Sequence, residues 1–113
     1  MLSDIILELK LKMDLSQEGL LMFFKPYQLD AMKAIWRATE PMSTRDVWEA
    51  VGEDKISRAS VINFLVVALE VGLLTMFEKI SKGGYRAMYS AAMDEAGAIQ
   101  YLKNIFKYRL DQL

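Results

Sequence analysis

From Leu7 to Met13 the chain reads Leu-Glu-Leu-Lys-Leu-Lys-Met, a strict alternation of apolar and charged residues. That is the period-2 pattern of a strand with one buried face. A helix competes with it, because Leu2, Ile5, Ile6, Leu9 and Met13 also share one helical face. Asp14 to Gly19 reads as a turn or short helical link, and Leu20-Leu21-Met22-Phe23-Phe24 is an apolar stretch that needs a covering surface. Pro26 suits the first turn of a helix, where its missing N–H costs nothing. Leu29, Met32, Ile35 and Trp36 follow at helical spacing before Pro41, which places a first helix at about 26–38.

Ser43 with Asp46 three residues later is the acidic form of a capping box, and it opens a second helix at about 44–51 that Gly52 stops. Ser57 caps a third helix that runs to about Val71 and ends at Gly72, with Val61, Leu65, Ala68 and Leu69 as its core stripe. Leu74 to Ile80 is rich in strand formers, Ser81-Lys82-Gly83-Gly84 is a hairpin turn, and Tyr85 to Ser90 is the returning strand. Asp94 caps a last helix whose Ile99, Leu102, Phe106, Leu110 and Leu113 step like a heptad seam. The order helix, helix, helix, hairpin, helix predicts a mainly α protein with a small antiparallel β-hairpin (α+β). It describes a winged helix-turn-helix with an N-terminal extension and a C-terminal dimerisation helix. Three segments follow: the extension over 1–25, the winged helix-turn-helix over 26–92, and the dimerisation helix over 93–113.

Composition narrows the chemistry. At 113 residues, 53% hydrophobic and 26% charged, the chain suits one compact domain with a real core. With 14 Lys+Arg against 15 Asp+Glu its net charge is −1, so it does not coat nucleic acid by charge alone. It contains no histidine and no cysteine. Disulfides, thiolate zinc sites, cysteine nucleophiles and Ser-His-Asp triads are therefore excluded. Carboxylate sites for Mg²⁺ or Ca²⁺ stay possible in principle. The paired acids Glu53-Asp54 and Asp94-Glu95 read as loop and helix-start charges, so no enzyme, cofactor or metal site is expected. The lack of cysteine suits a reducing cytoplasm. The longest apolar run, Phe64 to Leu69, falls far short of the ~20 residues of a spanning helix, and Met1-Leu2-Ser3-Asp4 lacks the positive region of a signal peptide.

The ordered set Leu29-Asp-Ala-Met-Lys-Ala-Ile-Trp36, Ser43-Thr-Arg-Asp-Val47, Ser57-Arg-Ala-Ser-Val61, Gly72-Leu-Leu74 and Lys82-Gly-Gly-Tyr-Arg86 followed by Tyr89 resembles the penicillinase-repressor family of winged-helix regulators. The resemblance covers about residues 26–92. It implies a prokaryotic transcription regulator that binds operator DNA as a homodimer, with the third helix in the major groove, the wing on the backbone and the helix after the wing in the dimer. Three features depart from that pattern. Val66, Val67, Glu70 and Val71 stand where the family's third helix is often basic. The C-terminal region is shorter than the family's, and the N-terminal extension is longer.

Charge by region supports a DNA partner. Residues 26–56 carry four basic and six acidic side chains, whereas residues 57–89 carry Arg58, Lys79, Lys82 and Arg86 against Glu70 and Glu78. The segment expected to read double-stranded DNA is thus the positive one. Ser60 and Asn63 are short polar groups near the start of the third helix, suited to base edges or phosphates, and Arg58 can reach phosphate or guanine. Lys82 and Arg86 on the wing, and Arg45 and Lys55 flanking the second helix, suit the phosphate backbone. Ile99, Leu102, Phe106, Leu110 and Leu113 are expected at a homodimer interface. Val66, Val67 and Val71 make the third helix apolar almost all round. That pattern predicts burial, with a protein-interaction module that does not bind DNA specifically as the alternative function. No residue set specifies a small-molecule inducer, an operator or a switching mechanism.

Overall fold

A computed structural model describes residues 12–113. The element expected before Lys12 lies outside the described residues, and Lys12 and Met13 adopt neither helix nor strand. The Asp14 N–H donates to the Met22 carbonyl at 2.6 Å, closing residues 14–22 into a loop that contains a 3-10 turn, Gly19–Met22. The Asp14 carboxylate accepts the Ser16 hydroxyl at 2.6 Å and the Ser16 N–H at 2.9 Å, and these bonds hold its pKa below the usual value.

The regular elements follow the predicted order. α1 spans Pro26–Arg37 with Pro26 in its first turn, and the Lys25 N–H donates to Gln28 Oε1 at 2.9 Å. β1 is only Met42–Ser43. α2 spans Thr44–Val51 and opens on the predicted capping box: the Asp46 N–H donates to Ser43 Oγ at 3.1 Å and the Ser43 N–H donates to Asp46 Oδ2 at 2.9 Å. α3 spans Arg58–Glu70, with Ser57 Oγ accepting the Ser60 N–H. β2 (Leu74–Ser81) and β3 (Gly84–Ala91) form the hairpin, and α4 spans Glu95–Leu110 with Asp94 as its N-cap. The two-residue β1 had no signal in the sequence. It pairs antiparallel with β3, Met42 opposite Tyr89, giving a three-stranded sheet in the order β1-β3-β2. Three helices followed by a two-stranded wing, with a short strand between α1 and α2, make an α+β winged helix-turn-helix. Among the described residues no helix is long and apolar enough to cross a membrane.

One core joins all of these elements. α3 supplies Val61, Phe64, Leu65 and Ala68, α1 supplies Ala31, Met32 and Ile35, and α4 supplies Ala98, Leu102 and Ile105. Phe24, from the segment before α1, lies edge-on to Phe64 with ring centroids 6.0 Å apart. The turn between α2 and α3 is fixed by Trp48, whose indole N–H donates to the Ile56 carbonyl at 2.9 Å.

The end of α3 is held twice. The Leu73 N–H donates to the Ala68 carbonyl and the Gly72 N–H to the Leu69 carbonyl, the paired bonds of a Schellman motif, with Gly72 at φ +88°. The Tyr101 hydroxyl of α4 then donates to the Val71 carbonyl at 2.7 Å. A Cβ at position 72 would lie 2.9 Å from that hydroxyl oxygen.

Two outcomes are expected in urea denaturation. Gly72→Ala loses more than about 1 kcal/mol, from the positive φ and the contact together, and loses less when made in Tyr101→Phe, where the hydroxyl is gone. Burial raises the Tyr101 pKa above its usual 10.0. The neutral phenol is thus favoured in the folded chain, and its contribution is complete below pH 10 and fades as pH climbs through the higher folded value. The stability gap between wild type and Tyr101→Phe should narrow over that range.

Candidate nucleic-acid interface

β1 stops after two residues, so the edge of β3 from Gly84 to Ala87 has no strand beside it. The space is a cleft of about 390 Å³ bounded by the start of α2 (Thr44, Arg45), the start of α3 (Arg58) and the wing (Ser81, Tyr85, Arg86). Capping sets this geometry: Ser43 at the end of β1 and Ser57 at the end of the α2–α3 turn each launch a helix at the cleft, so Arg45 and Arg58 fall in first turns. Arg45 is partly neutralised, its Nε donating to Glu49 Oε1 at 2.8 Å. Among the described residues the Arg58 and Arg86 guanidinium groups have no hydrogen-bond or ion-pair partner, and none of those residues brings a carboxylate to the cleft.

The wing concentrates more positive charge. Lys79 and Arg86 stand directly opposite each other across the two strands, both exposed, and Lys82 sits in the two-residue turn. Like charges in facing positions repel, by about 0.2–1 kcal/mol in a sheet. On the other face of the hairpin Ile80 and Tyr85 pair at 76% and 73% exposure. Towards its tip the wing therefore projects a cationic pair on one face and an apolar pair on the other.

The outward side of α3 runs beside this cleft. Ala59, Ile62, Asn63, Val66 and Glu70 are exposed. Ser60 is half-buried and tied into the cap: its N–H donates to Ser57 Oγ and its own oxygen accepts the Ser57 hydroxyl at 2.9 Å, leaving one O–H to donate. Of the three valines, Val71 is buried in the core and Val67 is half-buried, as expected. Val66 is not: it is 41% exposed, beside Ile62 at 38%.

Along the opposite edge of α3 lies a second cleft of about 390 Å³, where Asn63 and Val67 meet Lys12, Lys25, Tyr27 and Gln28. Nothing in the sequence pattern marks Lys12 and Lys25. They lie in a region with a net negative charge, and only the fold brings them beside α3. Lys55 is exposed in the α2–α3 loop with its stem against Gly52, outside both clefts.

The seam of α4 needs a correction. Leu102 is fully buried in the chain's own core, with Ala98 and Ile105 beside it, so it offers no surface to a second copy. Heptad spacing fixes which residues share a face, and here that face is turned partly inward. Ile99 and Phe106 are half-buried, and Phe106 lies 5.2 Å from Phe23 between ring centroids. Leu110 and Leu113 are exposed, and α4 ends at Leu110, so Leu113 lies beyond the helix.

No protein-family model matches the sequence, and no curated protein matches it significantly. The resemblance to penicillinase repressors therefore has no family match behind it. Among solved structures the chain is similar to the ferric uptake regulator of Vibrio cholerae, at 13% identity and a TM-score of 0.49. The similarity covers 64% of this chain and 55% of that one. So loose a superposition defines neither family nor activity; the class, a winged helix-turn-helix protein, rests on the topology described above.

The facing Lys79 and Arg86 give a direct check on the site's electrostatics. Arg86→Gln should leave stability unchanged or raise it by a few tenths of a kcal/mol at low salt, and the gain should vanish at high salt. Urea denaturation at two ionic strengths reads this; a clear loss at both would mean that Arg86 holds the wing together.

Proposed function

We propose that this protein is a DNA-binding transcription regulator, a repressor acting as a homodimer. The observation that carries the reading is the cleft at the start of α3, where Arg58 and Arg86 face each other's surroundings with no partner among the described residues and no carboxylate beside them. Cations held in that state suit a polyanion that winds past them. In this reading α3 enters the major groove. Arg45, Arg58, Lys82 and Arg86 contact one phosphate strand, and Lys12 and Lys25 contact the strand on the far side of the groove. Lys55 reaches backbone beside the α2–α3 loop. The amide of Asn63 and the free O–H of Ser60 read base edges, and Ile62 and Val66 pack on thymine methyls. Leu110 and Leu113, with Tyr108 at 41% exposure, join the second copy. Two α3 helices then meet successive major grooves about 34 Å apart, and occupation of an operator blocks transcription.

The exposed pair Ile62 and Val66 favours one other reading, a module that docks on another protein through α3. A salt series separates the two. Binding to duplex DNA, followed by fluorescence anisotropy, should weaken steeply with salt and be tighter on the fragment upstream of the protein's own coding region than on random duplex. Arg58→Ala and Arg86→Ala should each weaken binding to every sequence and lower the log–log salt slope by about 1. Lys25→Ala should do the same. No binding at low salt would overturn the DNA reading in favour of the protein module.

A further inference from the structure

A groove of about 470 Å³ lies at the end of the molecule built from α4 and the N-terminal segment. Its walls are apolar: Leu20, Met22 and Phe23 from the segment face Ile99, Phe106 and Leu110 from α4. The volume falls in the ordinary range for small-molecule sites, about 300–1,000 Å³. Two lysines, Lys103 and Lys107, stand among these walls. Lys107 is satisfied, its ammonium donating to Asp111 Oδ2 at 2.6 Å. Lys103 has no hydrogen-bond or ion-pair partner among the described residues, and Asp111, already engaged, is the one carboxylate they contribute to the groove. The site thus combines an apolar trough with one uncompensated cation.

We infer that this groove binds an acyl chain carrying a carboxylate, a ligand of the fatty-acid class, with the chain along the Phe23–Phe106 wall and the carboxylate on Lys103. Charge decides against a second copy as the occupant. A two-fold interface presents the same patch from both sides. It would set a second Lys103 ammonium near the first, whereas a carboxylate ligand brings each of them an opposite charge. Of the residues assigned to the dimer, Leu110 also lines the trough, whereas Tyr108 and Leu113 do not.

The test needs no DNA, so its outcome stands apart from that of the DNA reading. Dodecanoate, kept below its micelle concentration, is titrated into the full chain while amide shifts are followed in ¹H–¹⁵N spectra. Saturable shifts confined to residues 13–23 and 99–111 are expected. Lys103→Met keeps the apolar stem and should weaken dodecanoate about tenfold, the order expected for losing one charge-assisted hydrogen bond. The same variant should leave the neutral chain, dodecanol, unaffected. Ile99→Trp should fill the trough and abolish binding of both. Equal affinity for dodecanoate and dodecyltrimethylammonium, or dodecanoate binding undiminished in Lys103→Met, would overturn the assignment. So would an absence of shifts in this region. If the groove amides are protected in a self-associated state that dodecanoate does not disturb, the occupant is a second copy and the inference fails.

Discussion

The burial of α3 is the constraint on which the rest of this structure depends. Val61, Leu65 and Ala68 are at most 1% exposed. Leu-to-Ala changes at such positions cost about 2–5 kcal/mol in general, a large share of the stability of a small domain. To enclose that stripe α1 and α2 must pack on one side, the base of the wing along another, and α4 with the N-terminal aromatics on the remainder. The Trp48–Ile56 bond then fixes how α2 leads into α3. Once these contacts are made, the start of α3 and the unpaired edge of β3 lie side by side. The cleft between them is a by-product of core packing.

What the sequence disclosed was what is decided locally. Ser43 with Asp46, Ser57, Asp94, Gly52 and Gly72 marked helix ends to within a residue or two, because each satisfies or terminates backbone hydrogen bonds within a turn of itself. What it withheld was decided at a distance. β1 exists only because β3 passes beside Met42 and Ser43, and two residues carry no periodicity. Leu102 sits in a regular seam, yet periodicity cannot say whether the covering surface belongs to the same chain. Lys12 and Lys25 are far from Asn63 in sequence and adjacent to it in space. Val66 looked buried because its neighbours are apolar, although a helix with three covered sides still has a fourth.

The charge distribution follows the same division. A net charge of −1 says nothing of the field at any one place. Glu49 answers Arg45, Glu95 answers Lys33 and Asp111 answers Lys107, all on exposed surfaces where such pairs contribute little. Among the described residues the other cations include Arg58, Lys79, Lys82 and Arg86 at the start of α3 and on the wing, Lys12 and Lys25 along the other edge of α3, and Lys103 in the groove beside α4. Partnering within the fold, more than the count of residues, sets where an anion is attracted.

The contact between Gly72 and Tyr101 also couples two positions far apart in the chain. A hydroxyl occupies the volume that any side chain at position 72 would claim, and it reaches that place from a helix 29 residues further on. Neither position is free to drift while the other stays. Loss of the phenol would open room at position 72 for asparagine or another residue tolerant of the left-handed conformation, whereas with the phenol in place glycine is the residue that fits. The two positions are sterically coupled, and a substitution at one changes what the other can hold while α4 stays fastened to the end of α3.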